Sequence, residues 1–76
     1  PFNPLTNIDY EISKDTDITL DLYDIRGTHI KNLINEKKSA GSHKFLLDAN
    51  QLSSGVYFYT MVANGITRTE KLVLMK

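Results

Sequence analysis

The chain has 76 residues, which is enough for one domain with a thin hydrophobic core. It contains no cysteine, so disulfide bonds and thiolate metal sites are excluded. Nine basic residues balance nine acidic ones, which argues against nucleic-acid binding, and no apolar run approaches the roughly 20 residues that a transmembrane helix needs.

The first third of the chain alternates apolar and polar residues, as half-buried β-strands do. Apolar residues occupy every second position from 8 to 12 and again from 18 to 22. Both segments are therefore predicted to be strands. A turn at 24–27 ends the second strand, and Gly27 can supply the positive φ that such a turn needs.

The segment 28–38 is ambiguous by pattern. Its apolar residues are Ile30, Leu33 and Ile34, a spacing that fits a bulged strand and a single helical turn about equally. We interpret it as a strand, because hairpin turns flank it and an isolated helix of this length would be marginally stable. Residues 35–39 are polar and are predicted to form a loop.

The second half of the chain predicts three more strands. A break at Gly41 precedes a weakly alternating strand that contains Phe45 and Leu47. Residues 56–62 are aromatic and β-branched with apolar side chains on both faces, which predicts a central strand, and the last strand is predicted at 66–75.

The dipeptide Asn64-Gly65 lies between the last two predicted strands and is typical of a two-residue hairpin turn. Such a turn predicts that Ala63 pairs with Ile66. By the same register Thr60 pairs with Thr69, and Tyr57 pairs with Leu72.

About six strands at regular spacing predict an all-β fold, namely an Ig-like antiparallel β-sandwich of six to seven strands. A small barrel is the less favoured alternative. Leu52, Gly55 and Tyr57 have the arrangement of a tyrosine corner, in which the phenol bonds back to upstream backbone, and this favours the sandwich.

Two histidines, His29 and His43, are the residues most able to take part in catalysis. Ser42 precedes His43, but neighbours along a strand point to opposite faces, so this pair does not form a nucleophile and its base. We therefore interpret both histidines as exposed polar residues.

An acidic set, Asp15, Asp17, Asp21 and Asp24, raises the question of a calcium site. Asp17 and Asp21 would lie roughly 13 Å apart on one strand, too far for one ion to bridge. The set is interpreted as a solvated strand face. No catalytic, cofactor-binding or metal-binding residue is predicted.

The face of the last hairpin opposite Tyr57 would carry Val56, Phe58 and Val73. If nothing covers these side chains, they form an apolar patch of the kind that often marks a docking surface. The alternative is that another part of the domain covers them.

Several motifs resemble the C-terminal sorting domains of the type IX (Por) secretion system of Bacteroidetes and related bacteria. The resemblance covers the whole chain in five segments in register. These are Pro1-Phe2-Asn3-Pro4-Leu5-Thr6 with Ile8 and Tyr10, Leu22-Tyr23-Asp24 with Gly27, Ala40-Gly41 with His43, Leu52 with Ser54-Gly55-Val56-Tyr57-Phe58-Tyr59, and Lys71-Leu72-Val73-Leu74 with Lys76. One departure is Leu47, where many relatives carry tryptophan.

The resemblance implies an Ig-like sandwich of about seven strands that acts as a C-terminal sorting signal and catalyses nothing. It implies as partners the outer-membrane type IX translocon, a sortase-like cysteine protease and the N-terminal cargo domain of the same chain. It implies no cofactor and a secreted or cell-surface location reached through the periplasm. The recognition residues it implies are Gly27, Gly41, Gly55, Tyr57, Lys71, Leu72, Val73, Leu74 and Lys76.

The chain begins with Pro1 rather than Met and has no signal peptide, so we expect residues 1–76 to be a single domain of a larger secreted protein. The alternative function is a structural spacer or accessory Ig-like module of a secreted enzyme or of the flagellar hook-capping protein, whose Ig-like domain has similar motifs. A carbohydrate-binding module is less favoured, because the chain has no tryptophan for an aromatic platform.

Overall fold

A computed structural model describes residues 5–75, and within this range the chain forms six β-strands and no helix. The strands are β1 (Leu5–Ile12), β2 (Thr16–Asp24), β3 (His29–Lys38), β4 (Gly41–Asp48), β5 (Gly55–Ala63) and β6 (Ile66–Leu74). The all-β prediction is confirmed, and each of the six strands overlaps a predicted strand.

The strands form two antiparallel sheets that pack face to face. One sheet has four strands in the order β3-β2-β5-β6, and the other is the pair β1-β4. The β-sandwich prediction is confirmed, and the barrel alternative is wrong, because the two sheets share no strand pairing. The strand predicted to be central, β5, lies between β2 and β6.

The core lies between the sheets and follows the period-two pattern of the sequence. Ile18, Leu20 and Leu22 of β2 are almost completely buried. Ile8 and Ile12 of β1 cover Ile18 and Leu20 from the second sheet, whereas Leu22 belongs to a second cluster around Tyr57. Because alternate side chains on a strand point to opposite faces, one alternating stripe from each sheet is sufficient to build this core.

The irregular spacing in β3 has a structural reason. Leu20 pairs with Ile34 but Asp21 pairs with Asn32, so Leu33 is an extra residue, and a second register shift makes Ile30 another. Each bulge reverses the alternation of side chains. Leu33 and Ile34 can therefore both pack against the core, although they are neighbours in sequence.

The prediction that residues 35–39 form a loop is wrong for residues 35–38. They continue β3 and pair with residues 16–19 of β2. The side chains are polar because β3 is an edge strand of the larger sheet, and an edge strand can keep its backbone ladder while its side chains face water.

The hairpin between β5 and β6 matches the predicted register. Asn64 and Gly65 both have positive φ, 54° and 73°, as a type I′ turn requires. Ala63 pairs with Ile66, and Tyr57 pairs with Leu72. Thr60 pairs with Thr69, and their hydroxyl oxygens lie 3.2 Å apart.

Candidate functional site

The predicted tyrosine corner is confirmed. The Tyr57 hydroxyl donates a hydrogen bond of 2.7 Å to the carbonyl oxygen of Ser53. The ring is 7% exposed and packs with Leu22, Ala49 and Leu74. Tyr57 thus fixes the loop between β4 and β5 to the core, which makes it a structural residue of the sandwich.

Replacing Tyr57 with Phe is expected to lower the free energy of unfolding by about 1 kcal/mol, because it removes this hydrogen bond and keeps the ring. The matched control is Tyr59→Phe, whose phenol makes no hydrogen bond to any residue from 5 to 75 and is half-buried. Urea denaturation of both variants measures the difference. Equal losses in the two variants would contradict the role assigned to the hydroxyl.

The three glycines of the family motifs all lie at the ends of turns or strands. Gly27 has a φ of 86° in the β2–β3 turn, where the Asp24 carboxylate accepts hydrogen bonds of 2.9 Å from the backbone N–H groups of Arg26 and Thr28. Gly41 and Gly55 are the first residues of β4 and β5. Their positions shape the connections of the sandwich.

The hydrogen bond from the Thr28 backbone is the main cause of a lowered pKa of Asp24, and the hydrogen bond from the Arg26 backbone contributes. A carboxylate that accepts two backbone N–H groups is favoured in its charged form. The Asp-x-x-Gly motif is therefore explained by the geometry of this turn.

The motif at the end of the chain, residues 71–74 with Lys76, has side chains on both faces of β6. Leu74 is buried and Leu72 is half-buried against the core, whereas Lys71 and Val73 point outward. Val73 pairs with Val56, and Lys71 pairs with Phe58. Lys76 lies outside the described residues.

The apolar side chains on the outer face are only partly covered. Val73 is 51% exposed, and Val56 and Phe58 are half-buried. We call Val56, Phe58, Lys71 and Val73 the outer patch. Of the two expectations for this face, the structure favours an exposed apolar patch over complete cover by residues 5–75.

The two histidines take part in separate polar contacts. His29 places its Nε2 2.9 Å from Oδ1 of Asp21, and the Asn32 amide donates to the same oxygen at 3.1 Å. The hydrogen bond from His29 is the main cause of a lowered pKa of Asp21. Sequence analysis missed this cluster, because the bulges in β3 determine which residues lie beside Asp21.

His43 lies on the inner face of β4, where its ring stacks on Tyr10 with the ring centres 5.3 Å apart. Its Nε2 lies 2.7 Å from the carbonyl oxygen of Ser39. Ser42 belongs to the opposite face of the strand, so the residues do not form a nucleophile and base pair.

The acidic residues do not come together. Asp15 accepts a hydrogen bond of 2.8 Å from the Ala40 backbone, while Asp21 and Asp24 accept hydrogen bonds in two other places, beside β3 and in the β2–β3 turn. Between residues 5 and 75 there is no group of three His, Asp or Glu side chains that could hold a metal ion. Nor does this part of the chain contain a helix that could cross a membrane.

A comparison with protein families gives one match that spans almost the whole chain. The family model described as "Secretion system C-terminal sorting domain" matches residues 1–75. Neither the curated proteins nor the solved structures contain a significant match.

Proposed function

The chain belongs to the family of secretion system C-terminal sorting domains, and from this premise we propose how its surface directs export. A domain of this family is a sorting signal for type IX secretion, which takes the protein that carries it to the cell surface or the medium. The family is non-catalytic. A signal of this kind acts through the partners that bind it and through the residues that they contact.

We propose that residues 1–76 form one Ig-like sorting domain and that its cargo is an N-terminal domain of the same polypeptide, such as an enzyme or an adhesin. The proposed partners are the outer-membrane type IX translocon, which recognises the folded domain, and a sortase-like cysteine protease, which removes it. Family membership supports both partners. The domain would then be a substrate of this protease.

The outer patch is the proposed recognition surface. Among the motif residues, Lys71 and Val73 present exposed side chains on one face, and Val56 and Phe58 extend the apolar area beside them. Partly exposed apolar residues next to a charged rim are typical of protein interfaces. Tyr57, Leu72 and Leu74 support this surface from the core side, and the three glycines shape the turns.

The direct test fuses residues 1–76 to a neutral periplasmic reporter in a bacterium that has the type IX machinery. The reporter is expected in the medium or on the cell surface, and the same fusion is expected to stay in the periplasm of a strain that lacks the translocon. A reporter without the domain is the second control. Retention of the fusion in the periplasm of the competent strain would contradict the proposal.

The exposure of the outer patch also supports the second candidate, a structural spacer that packs against a neighbouring domain of the same protein. In that case, attaching the cargo domain is expected to shield the side chains of Val56, Phe58 and Val73 from a soluble paramagnetic probe in NMR spectra. The spacer also predicts that the reporter fusion is not exported, which separates the two candidates.

A further inference from the structure

The two sheets of the sandwich have unequal widths, so part of the larger sheet lacks a strand above it. A two-residue link joins β3 to β4, and a three-residue link joins β1 to β2. The Asn64 amide in the β5–β6 turn donates to the Ser13 hydroxyl at 3.3 Å. These links place β4 over β3 and β1 over β2 and β5, and they leave the inner face of the first half of β6 uncovered.

The uncovered face is the floor of an open groove of about 1160 Å³, which we call the side groove. Residues 9–13 of β1 and the following link line one wall, with Ser42, His43 and Lys44 of β4 behind them, and side chains of β5 and β6 line the floor. Ile66 is 60% exposed although it lies on the core-facing side of its sheet, and Arg68 and Glu70 follow it along β6. Tyr59 and Met61 of β5 complete the floor.

The wall of the side groove is an unpaired strand edge. Within the described range β1 pairs with β4 alone, so every second residue of β1 turns its backbone N–H and C=O toward the groove. An unpaired edge beside an open floor is the arrangement to which an extended peptide adds as a further strand. Residues 9–13 offer an edge of about 16 Å, enough for about five residues of a partner strand.

We propose that the side groove binds an extended peptide segment of another polypeptide, which adds to β1 as the third strand of the smaller sheet. The segment has apolar side chains at alternate positions and one Lys or Arg among them. This inference goes beyond sorting, because it concerns the free domain and a surface separate from the outer patch.

The charged side chains of the side groove indicate where the Lys or Arg of the bound segment would lie. Tyr59 lies near the carboxylates of both Asp9 and Glu70, which add to the effect of burial in raising the pKa of its phenol. The inward side chains of an added strand would alternate above Ile66, Met61 and Tyr59. Three acidic side chains line the groove, Asp9, Glu11 and Glu70, against two basic ones, Lys44 and Arg68. A cation above Tyr59 would meet two of these carboxylates and an aromatic ring, while apolar side chains at the preceding inward positions cover Ile66 and Met61.

A second folded copy of the domain does not fit this site. Since β1 lies over β2 and β5, β6 projects beyond the β1 edge by about one strand width, roughly 4.8 Å. In an edge-to-edge pair both projecting strands would meet first and hold the two β1 edges about 10 Å too far apart to bond. A single extended segment meets no such obstacle.

The test titrates the 76-residue chain with a synthetic peptide, acetyl-Thr-Val-Thr-Val-Thr-Lys-Thr-amide, and follows the backbone amides by NMR. Bound antiparallel to β1, this peptide places its two valines above Ile66 and Met61 and its lysine above Tyr59. Changes in the amide chemical shifts are expected at residues 9–13 and 66–70. The backbone amides at the free edge of β1 are expected to exchange with solvent more slowly when the peptide is bound. A peptide with Glu in place of Lys is expected to bind about tenfold more weakly, since it places a carboxylate beside Asp9 and Glu70. Replacing one Val-Thr pair with Pro-Pro removes backbone donors and is expected to abolish binding.

Two protein variants separate local from general electrostatics. Glu70→Lys is expected to lower the affinity for the lysine peptide about tenfold and to raise the affinity for the glutamate peptide. Asp17→Lys makes the same change in net charge on the outer face of β2 and is expected to leave both affinities unchanged. Equal effects of the two variants, shifts confined to other surfaces, or binding of the Pro-Pro peptide would overturn the proposal. The reporter assay tests sorting separately.

Discussion

Replacing Leu20 with Ala is expected to lower the free energy of unfolding by about 3 kcal/mol, the largest stability effect predicted for this chain. Leu20 is 0% exposed and lies in the core cluster with Ile8 and Ile12 from the opposite sheet and with Met61 from β5. Alanine would leave a cavity at the point where the two sheets meet. Urea denaturation followed by circular dichroism measures the loss.

A loss of about 3 kcal/mol is large relative to the total free energy of unfolding expected for a domain of this size. A chain of 76 residues typically has roughly 4–11 kcal/mol of stability, and this one has no disulfide bond to add to it. The control is Leu46→Ala on β4, because Leu46 is 54% exposed on the outward face. Its expected cost is within about 0.5 kcal/mol. Equal losses for the two variants would contradict the assignment of the core.

The prediction from sequence was most accurate where local rules and burial agree. The stripes at positions 8–12 and 18–22 predict β1 and β2 because one face of each strand is buried, which forces the alternation. The register of β5 and β6 follows from Asn64-Gly65, because a two-residue turn fixes every pair of the hairpin. Tyr57 could be assigned because its corner is built from residues 52–57 alone.

The prediction failed where the structure depends on long-range pairing. Residues 35–38 look like a loop in sequence because their side chains are polar. Their backbone nevertheless pairs with β2 and forms an edge strand, since ladder hydrogen bonds do not depend on side-chain polarity. The bulges at Ile30 and Leu33 set the contact of His29 with Asp21, and no local pattern indicates it. The side groove depends on the unequal widths of the sheets, which the strand pattern leaves open.

The double variant Lys71→Glu and Val73→Asp is expected to reduce export of the reporter fusion about tenfold or more, while the domain stays folded. Both side chains are exposed on the outer face of β6, so the changes leave the core intact. They replace the cation and the most exposed apolar side chain of the outer patch with carboxylates. Reporter activity in the medium and in the periplasm gives the exported fraction, and circular dichroism verifies folding.

The control is the double variant Lys37→Glu and Val62→Asp, which makes the same two substitutions elsewhere on the outer face of the same sheet. Lys37 pairs with Asp17 on β2, Val62 pairs with Thr67 on β6, and both side chains are exposed. This control makes the same change in charge and replaces a valine that is also exposed, at 39% against 51% for Val73, so its export is expected to equal that of the unaltered domain. If both variants lose export equally, the translocon responds to the net charge of the domain, and the outer patch is not the recognition surface.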